Sequence, residues 1–169
     1  MATKNAVVNL TERQRDSLRH QFQELEPTGW VIEVVHKHGW EEATKEYLQQ
    51  EQRRGRDEME SLMAALRLSP PLSATEAADL VTAALNLYLP PGEAPDAVRR
   101  LSPTAVRARV CHCPTYRRVE ESEWRGVTAC GSWHRRQGWY HALELRAVDS
   151  ILGESKWGDE ACEAVIEFS

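Results

Sequence analysis

The chain has 169 residues, 41% of them hydrophobic and 28% charged, with a formal net charge of −5. This is the profile of a globular chain long enough to bury a core without staples, and it excludes collagen-like and disordered classes. The acidic balance argues against nucleic-acid binding through the whole surface, and the longest apolar run, Trp30 to Val35, falls far short of the roughly 18 residues of a membrane helix.

The first ten residues hold Lys4, Asn5 and Asn9 and no apolar h-region, so no secretory signal is expected and the default compartment is cytoplasmic. Thr11 with Gln14 fits a capping box, and Leu18, Phe22 and Leu25 follow at helical spacing. Pro27-Thr28-Gly29 stops that helix. Residues 30–38 fit either a buried strand or a short helix ending at Gly39, and their helical surroundings favour the helix. A longer helix is expected from about Trp40 to Leu66. Its middle, Gln49 to Glu58, is polar all round and contains Gly55, which reads as a solvated bridge or a break. Ser69-Pro70-Pro71 is a linker. Ser73 with Glu76 is a second capping box, opening a helix with Ala77, Leu80, Val81, Ala84, Leu85 and Tyr88 as its stripe; Pro90-Pro91-Gly92 ends it.

After Pro103 the period changes to two. Val106, Ala108 and Val110 alternate with Arg107 and Arg109, residues 142–150 alternate next, and Cys162, Ala164, Ile166 and Phe168 share one face at the end. Gly131 to His141 reads as a short helix between the first two of these strands. The expectation is an α+β fold in one domain, residues 1–169. An N-terminal helical layer (1–98) packs on a small, mostly antiparallel C-terminal sheet with one inserted helix (99–169).

The cysteine-bearing part differs in charge. Residues 99–146 carry 10 basic and 4 acidic side chains, against 10 and 16 in residues 1–98 and 1 and 6 in residues 147–169. Four cysteines are too few for a secreted disulfide scaffold, so free thiols, a metal site and catalysis all stay open. Cys111 and Cys113 bracket His112 at a strand end, on the side that Arg107 and Arg109 also face. Cys130 lies just before the short helix, where the dipole favours a thiolate. His134 is four residues on, and Cys162 opens the last strand beyond Asp159.

The order Cys113-Pro114 after a strand, Cys130 opening a helix, and Gly158-Asp159-Glu160-Ala161-Cys162 running into an alternating terminus resembles the L-2-amino-thiazoline-4-carboxylic acid hydrolase-like family. The resemblance covers about residues 104–169, with a looser likeness at Gly39-Trp40-Glu41-Glu42-Ala43. Arg146-Ala147-Val148-Asp149 stands where family members often carry an Arg-Thr-Lys-Thr-like stretch. The resemblance implies hydrolysis of a cyclic amidine-like ring at Cys113, Cys130 and Cys162.

Three chemistries suit three convergent cysteines. One thiolate, Cys130 on electrostatic grounds, attacks an electrophilic carbon while Asp159 or His134 moves protons. Alternatively the three hold zinc with one position open, or an iron–sulfur cluster, with Cys111 as a fourth ligand in a closed version. The competing readings are plain: cysteine is also a small buried hydrophobe, and Asp159 suits a turn. Arg107, Arg109 and Arg146 are the first choices to grip an anionic small-molecule substrate, with Trp133 walling a planar ligand. Arg117, Arg118, Arg135 and Arg136 read equally well as solvated arginines paired with helix-layer glutamates. The expected function is a small-molecule hydrolase-like enzyme, with no nucleic-acid or membrane partner. The alternative is a structural zinc or iron–sulfur module whose helical half recruits a partner.

Overall fold

The computed structural model describes residues 10–23, 29–89, 97–111, 131–154 and 159–169. Helices α1 (Glu12–Gln23), α2 (Gly29–Leu66) and α3 (Ala74–Tyr88) come first, followed by strands β1 (Val98–Ser102) and β2 (Ala105–Val110). Helix α4 (Gly131–Leu143) precedes β3 (Ala147–Gly153) and β4 (Cys162–Phe168). The four strands form one antiparallel sheet in the order β1-β2-β4-β3. This is the α+β arrangement expected, with helices N-terminal and the sheet C-terminal. No helix among the described residues is long and apolar enough to cross a membrane.

Both helix starts form as their sequences dictate. Thr11 Oγ1 accepts from the Gln14 backbone N–H at 3.3 Å, and the Thr11 N–H donates to Gln14 Oε1 at 3.0 Å. Ser73 and Glu76 make the same reciprocal pair, with the Ser73 N–H 2.8 Å from Glu76 Oε2. Those Ser73 bonds, backbone first, hold the Glu76 carboxyl below its usual range.

Residues 29–38 are helical, and α2 changes direction at Gly39, whose φ of 85° lies in the left-handed region that glycine enters freely. The turn folds Val31 onto Ala43 and Tyr47 in a small satellite core. Beyond it the polar middle of α2 is neither a break nor a solvated bridge: Glu51, Gly55 and Glu58 are buried inside a continuous helix. The reason is α4, which crosses α2 so closely that a Cβ on Gly55 would overlap the Arg135 carbonyl oxygen. One on Gly138 would overlap that of Gln52. Burial here comes from backbone meeting backbone, and that leaves no apolar stripe to read.

The main core joins α1, α3, the end of α2 and α4 to the inner face of the sheet, through residues such as Phe22, Leu62, Leu80, Leu87, Trp139 and Ile166. Val106 faces Ile166, Ala108 faces Ala164 and Val110 faces Cys162 across the β2–β4 ladder. All six therefore look toward the helices.

Two strand boundaries differ from expectation. Val98–Ser102 is a strand, although its five residues show no clean alternation. It is a sheet edge whose partly buried Arg100 forms an ion pair with Asp79 of α3 at 3.4 Å. The strand expected from residue 142 begins at Ala147 because Ala142 and the fully buried Leu143 complete α4. Glu144, with φ of 53°, then turns the chain. The stop expected at Pro90-Pro91-Gly92 lies outside the described residues; Leu89 caps α3 with extended backbone.

Candidate functional site

A cleft opens between the inner face of the sheet and helices α3 and α4. It measures about 770 Å³ including its open mouth. Leu85 and Tyr88 of α3, Val110 of β2, Cys162 of β4 and Ile151 of β3 line it, together with Ser132, Trp133, Arg135, Arg136 and Trp139 of α4. β3 is bulged between Ile151 and Gly153, which bends it where it forms part of the wall. Ser132 and Trp133 belong to the first turn of α4, so the positive end of that helix dipole stands at the cleft.

Two buried ion-pair networks fix the arginines. Arg135 Nε donates to Glu58 Oε2 at 2.9 Å, and its Nη2 donates to Glu58 Oε1 and to the Phe22 carbonyl at 2.6 Å. Trp139 Nε1 adds a bond to Glu58 Oε2 at 3.0 Å, and Arg54 Nε lies 3.3 Å from Oε1. The Arg135 guanidinium also sits 4.7 Å from the Tyr88 ring centre. Burial alone would lower the pKa of Arg135, but the bonded Glu58 carboxylate outweighs it and holds the group above its usual value.

In the second network Arg136 Nε and Nη2 donate to Asp149 Oδ2 at 3.0 and 2.9 Å. The Tyr140 hydroxyl donates to Oδ1 at 2.6 Å. Burial pushes the Tyr140 hydroxyl well above its ordinary range, with Arg136 opposing and Asp149 reinforcing the shift, so it stays a neutral donor. Neither arginine is the solvated surface group that an Arg-Arg pair suggests. Arg135 does pair with a helix-layer glutamate, but in the interior.

The expected site residues divide between the two sides of the sheet. Cys162 and Trp133 both line the cleft. Asp159, ahead of β4, accepts the Glu154 backbone N–H at 2.8 Å, next to cleft-lining Gly153 and Glu154. His134 is half-buried on α4 and is not part of the lining. Arg107 and Arg109 face the opposite side of the sheet from Cys162. Arg107 Nε donates to Glu163 Oε1 at 2.6 Å, and Arg109 lies 3.5 Å from Glu163 and 3.3 Å from Glu160. Cys111 is exposed on that outer side, its Sγ 3.8 Å from Arg109 Nη1. Arg146 is exposed ahead of β3, away from the cleft lining. Cys113, Cys130, Arg117 and Arg118 lie outside the described residues. Among the described residues, no three His, Cys, Asp or Glu side chains gather as a metal site needs.

Arg136, Asp149 and Tyr140 do not stand out as a unit in the sequence. A signal existed in the spacing of Arg136 and Tyr140, four apart on one helical face, but the partner Asp149 sits on a strand whose pairing no local rule supplies. No protein-family model matches the chain, and no curated protein matches it.

Proposed function

We propose that the chain is a small cytosolic enzyme of the hydrolase type. It opens a carboxylate-bearing heterocycle or cyclic amidine in this cleft, at a site to which Cys162, with Cys113 and Cys130, contributes sulfur. The observation that carries the reading is Cys162 on the wall of a largely apolar cleft that also presents Trp133 and two fixed arginines. Such a cleft, apolar with a few convergent polar groups, is the usual form of a small-molecule site. The resemblance in the Cys-bearing half points to the same chemistry.

In that chemistry a cysteine thiolate adds to the electrophilic ring carbon, and the displaced electron pair moves to the ring nitrogen, which takes a proton. Collapse breaks one ring bond. Water then displaces the sulfur, so the product is the substrate plus one water and the thiol is restored. In this reading Asp159, whose carboxylate bonds the backbone of cleft-lining Glu154, passes the protons.

Incubation with L-2-amino-thiazoline-4-carboxylate, read by mass spectrometry, tests this reading. The wild-type chain is expected to give a product heavier by one water, and Cys162→Ala to slow its formation by about 100-fold or more, the scale of losing a group that acts in the reaction. An intact substrate, or a Cys162→Ala chain that turns over within a few-fold of wild type, overturns it.

A further inference from the structure

We infer that Arg136 is the carboxylate anchor of the cleft, that Asp149 and Tyr140 are its positioning residues, and that the ligand is a planar molecule bearing a carboxylate. The inference rests on the cleft being a small-molecule site and adds the residues that choose what enters it.

The geometry is asymmetric in a way that packing alone does not require. Arg136 reaches Asp149 through Nε and Nη2, and both bonds go to the single oxygen Oδ2. The other oxygen is taken by Tyr140 at 2.6 Å. Asp149 is fully enclosed, whereas the Arg136 side chain keeps 15% exposure and lines the cleft. The guanidinium is thus clamped along one edge from behind. The Nη1 group, with two N–H donors, makes no bond to Asp149.

A guanidinium held this way has lost its rotamer freedom before a ligand arrives, so it binds an anion at lower entropic cost. Its charge is offset by Asp149, so burial is tolerated without a ligand. Its open edge still offers the planar donor geometry that carboxylates match. The dipole of α4, whose first turn also lines the cleft, adds to the attraction. Trp133, Trp139 and Tyr88 supply flat walls. Arg135 is a weaker candidate because it is buried against Glu58 and Phe22 from two sides. Of the acidic lining residues, Glu163 is engaged by Arg107 and Arg109 on the outer face. Glu154 stands at the β3 end, beside Asp159.

The test is a calorimetric titration of the full chain with benzoate and with benzamide, two flat probes of the same shape that differ in charge. The wild-type chain is expected to bind benzoate about tenfold or more tightly than benzamide, the scale of a charge-assisted bond. Replacing both charges, Arg136→Met with Asp149→Leu, should abolish the preference and leave benzamide affinity in place. Tyr140→Phe, which keeps Arg136 and its charge but frees one side of Asp149, should reduce benzoate affinity several-fold without changing benzamide. That split separates positioning from mere stability, and it stands even where the double variant fails to fold. Equal affinity for both probes in the wild-type chain, binding of neither, or a Tyr140→Phe chain that keeps the full preference each overturns the anchor. None of these outcomes touches the Cys162 turnover result, so the two readings fail separately.

Discussion

Glu58→Ala is expected to destabilise the chain by about 3–5 kcal/mol, the cost of leaving a buried charge without its partner. Glu58 is fully buried, and its carboxylate takes bonds from Arg135, Arg54 and Trp139. Removing it strands Arg135, only 4% exposed, against the Phe22 carbonyl and the Tyr88 ring. Glu58→Gln should do nearly as badly, because its amide turns a donor toward other donors. For a chain of this size the loss lowers Tm by about 10 °C. Thermal unfolding followed by circular dichroism reads it, and a drop of less than about 1 kcal/mol would show that the network is incidental. The double replacement Glu58→Met with Arg135→Met should recover much of the loss, since a buried pair is worth far less than the penalty of breaking it.

Gly55→Ala is the second large effect, and there two terms oppose. Alanine gains about 1 kcal/mol of helix propensity over glycine. Against it, the new methyl would overlap the Arg135 carbonyl, a backbone atom that cannot swing away. Overpacking of this kind costs about 1–3 kcal/mol and more where backbone must move. The clash is expected to win, giving a net loss of about 2 kcal/mol and a displaced α4. Because α4 carries Trp133 and Arg136 into the cleft, ligand affinity should fall with stability. A stabilised Gly55→Ala chain would mean that α2 and α4 do not cross as described.

These two sites also show where reading the chain succeeds and where it stops. The starts of α1 and α3 rest on bonds between residues three apart, so Thr11-Gln14 and Ser73-Glu76 announce them locally. β2 and β4 follow from strict alternation over one buried face. The middle of α2 does not, because its burial depends on a helix some 80 residues later: Glu58 pairs with Arg135, 77 positions on. Glu51, Gly55 and Glu58 do recur at helical spacing, but a polar stripe signals burial only once its partner is known. β1 is hard to read for a similar reason, its partly buried Arg100 being ion-paired with Asp79 of α3. At the site, Cys162 and Trp133 stood out by residue type. Arg107 and Arg109 share one side of β2 with Cys111, and the register puts Cys162 on the other, opposite Val110.

In the proposed function a ligand occupies the cleft against Cys162. Site-resolved alkylation by iodoacetamide measures this within one molecule, because Cys111 lies on the outer side of the sheet and serves as the internal reference. With L-2-amino-thiazoline-4-carboxylate present, labelling of Cys162 should slow by the factor one plus ligand concentration over Kd, while labelling of Cys111 keeps its rate. Slowing of both cysteines alike, or of neither, would contradict the account.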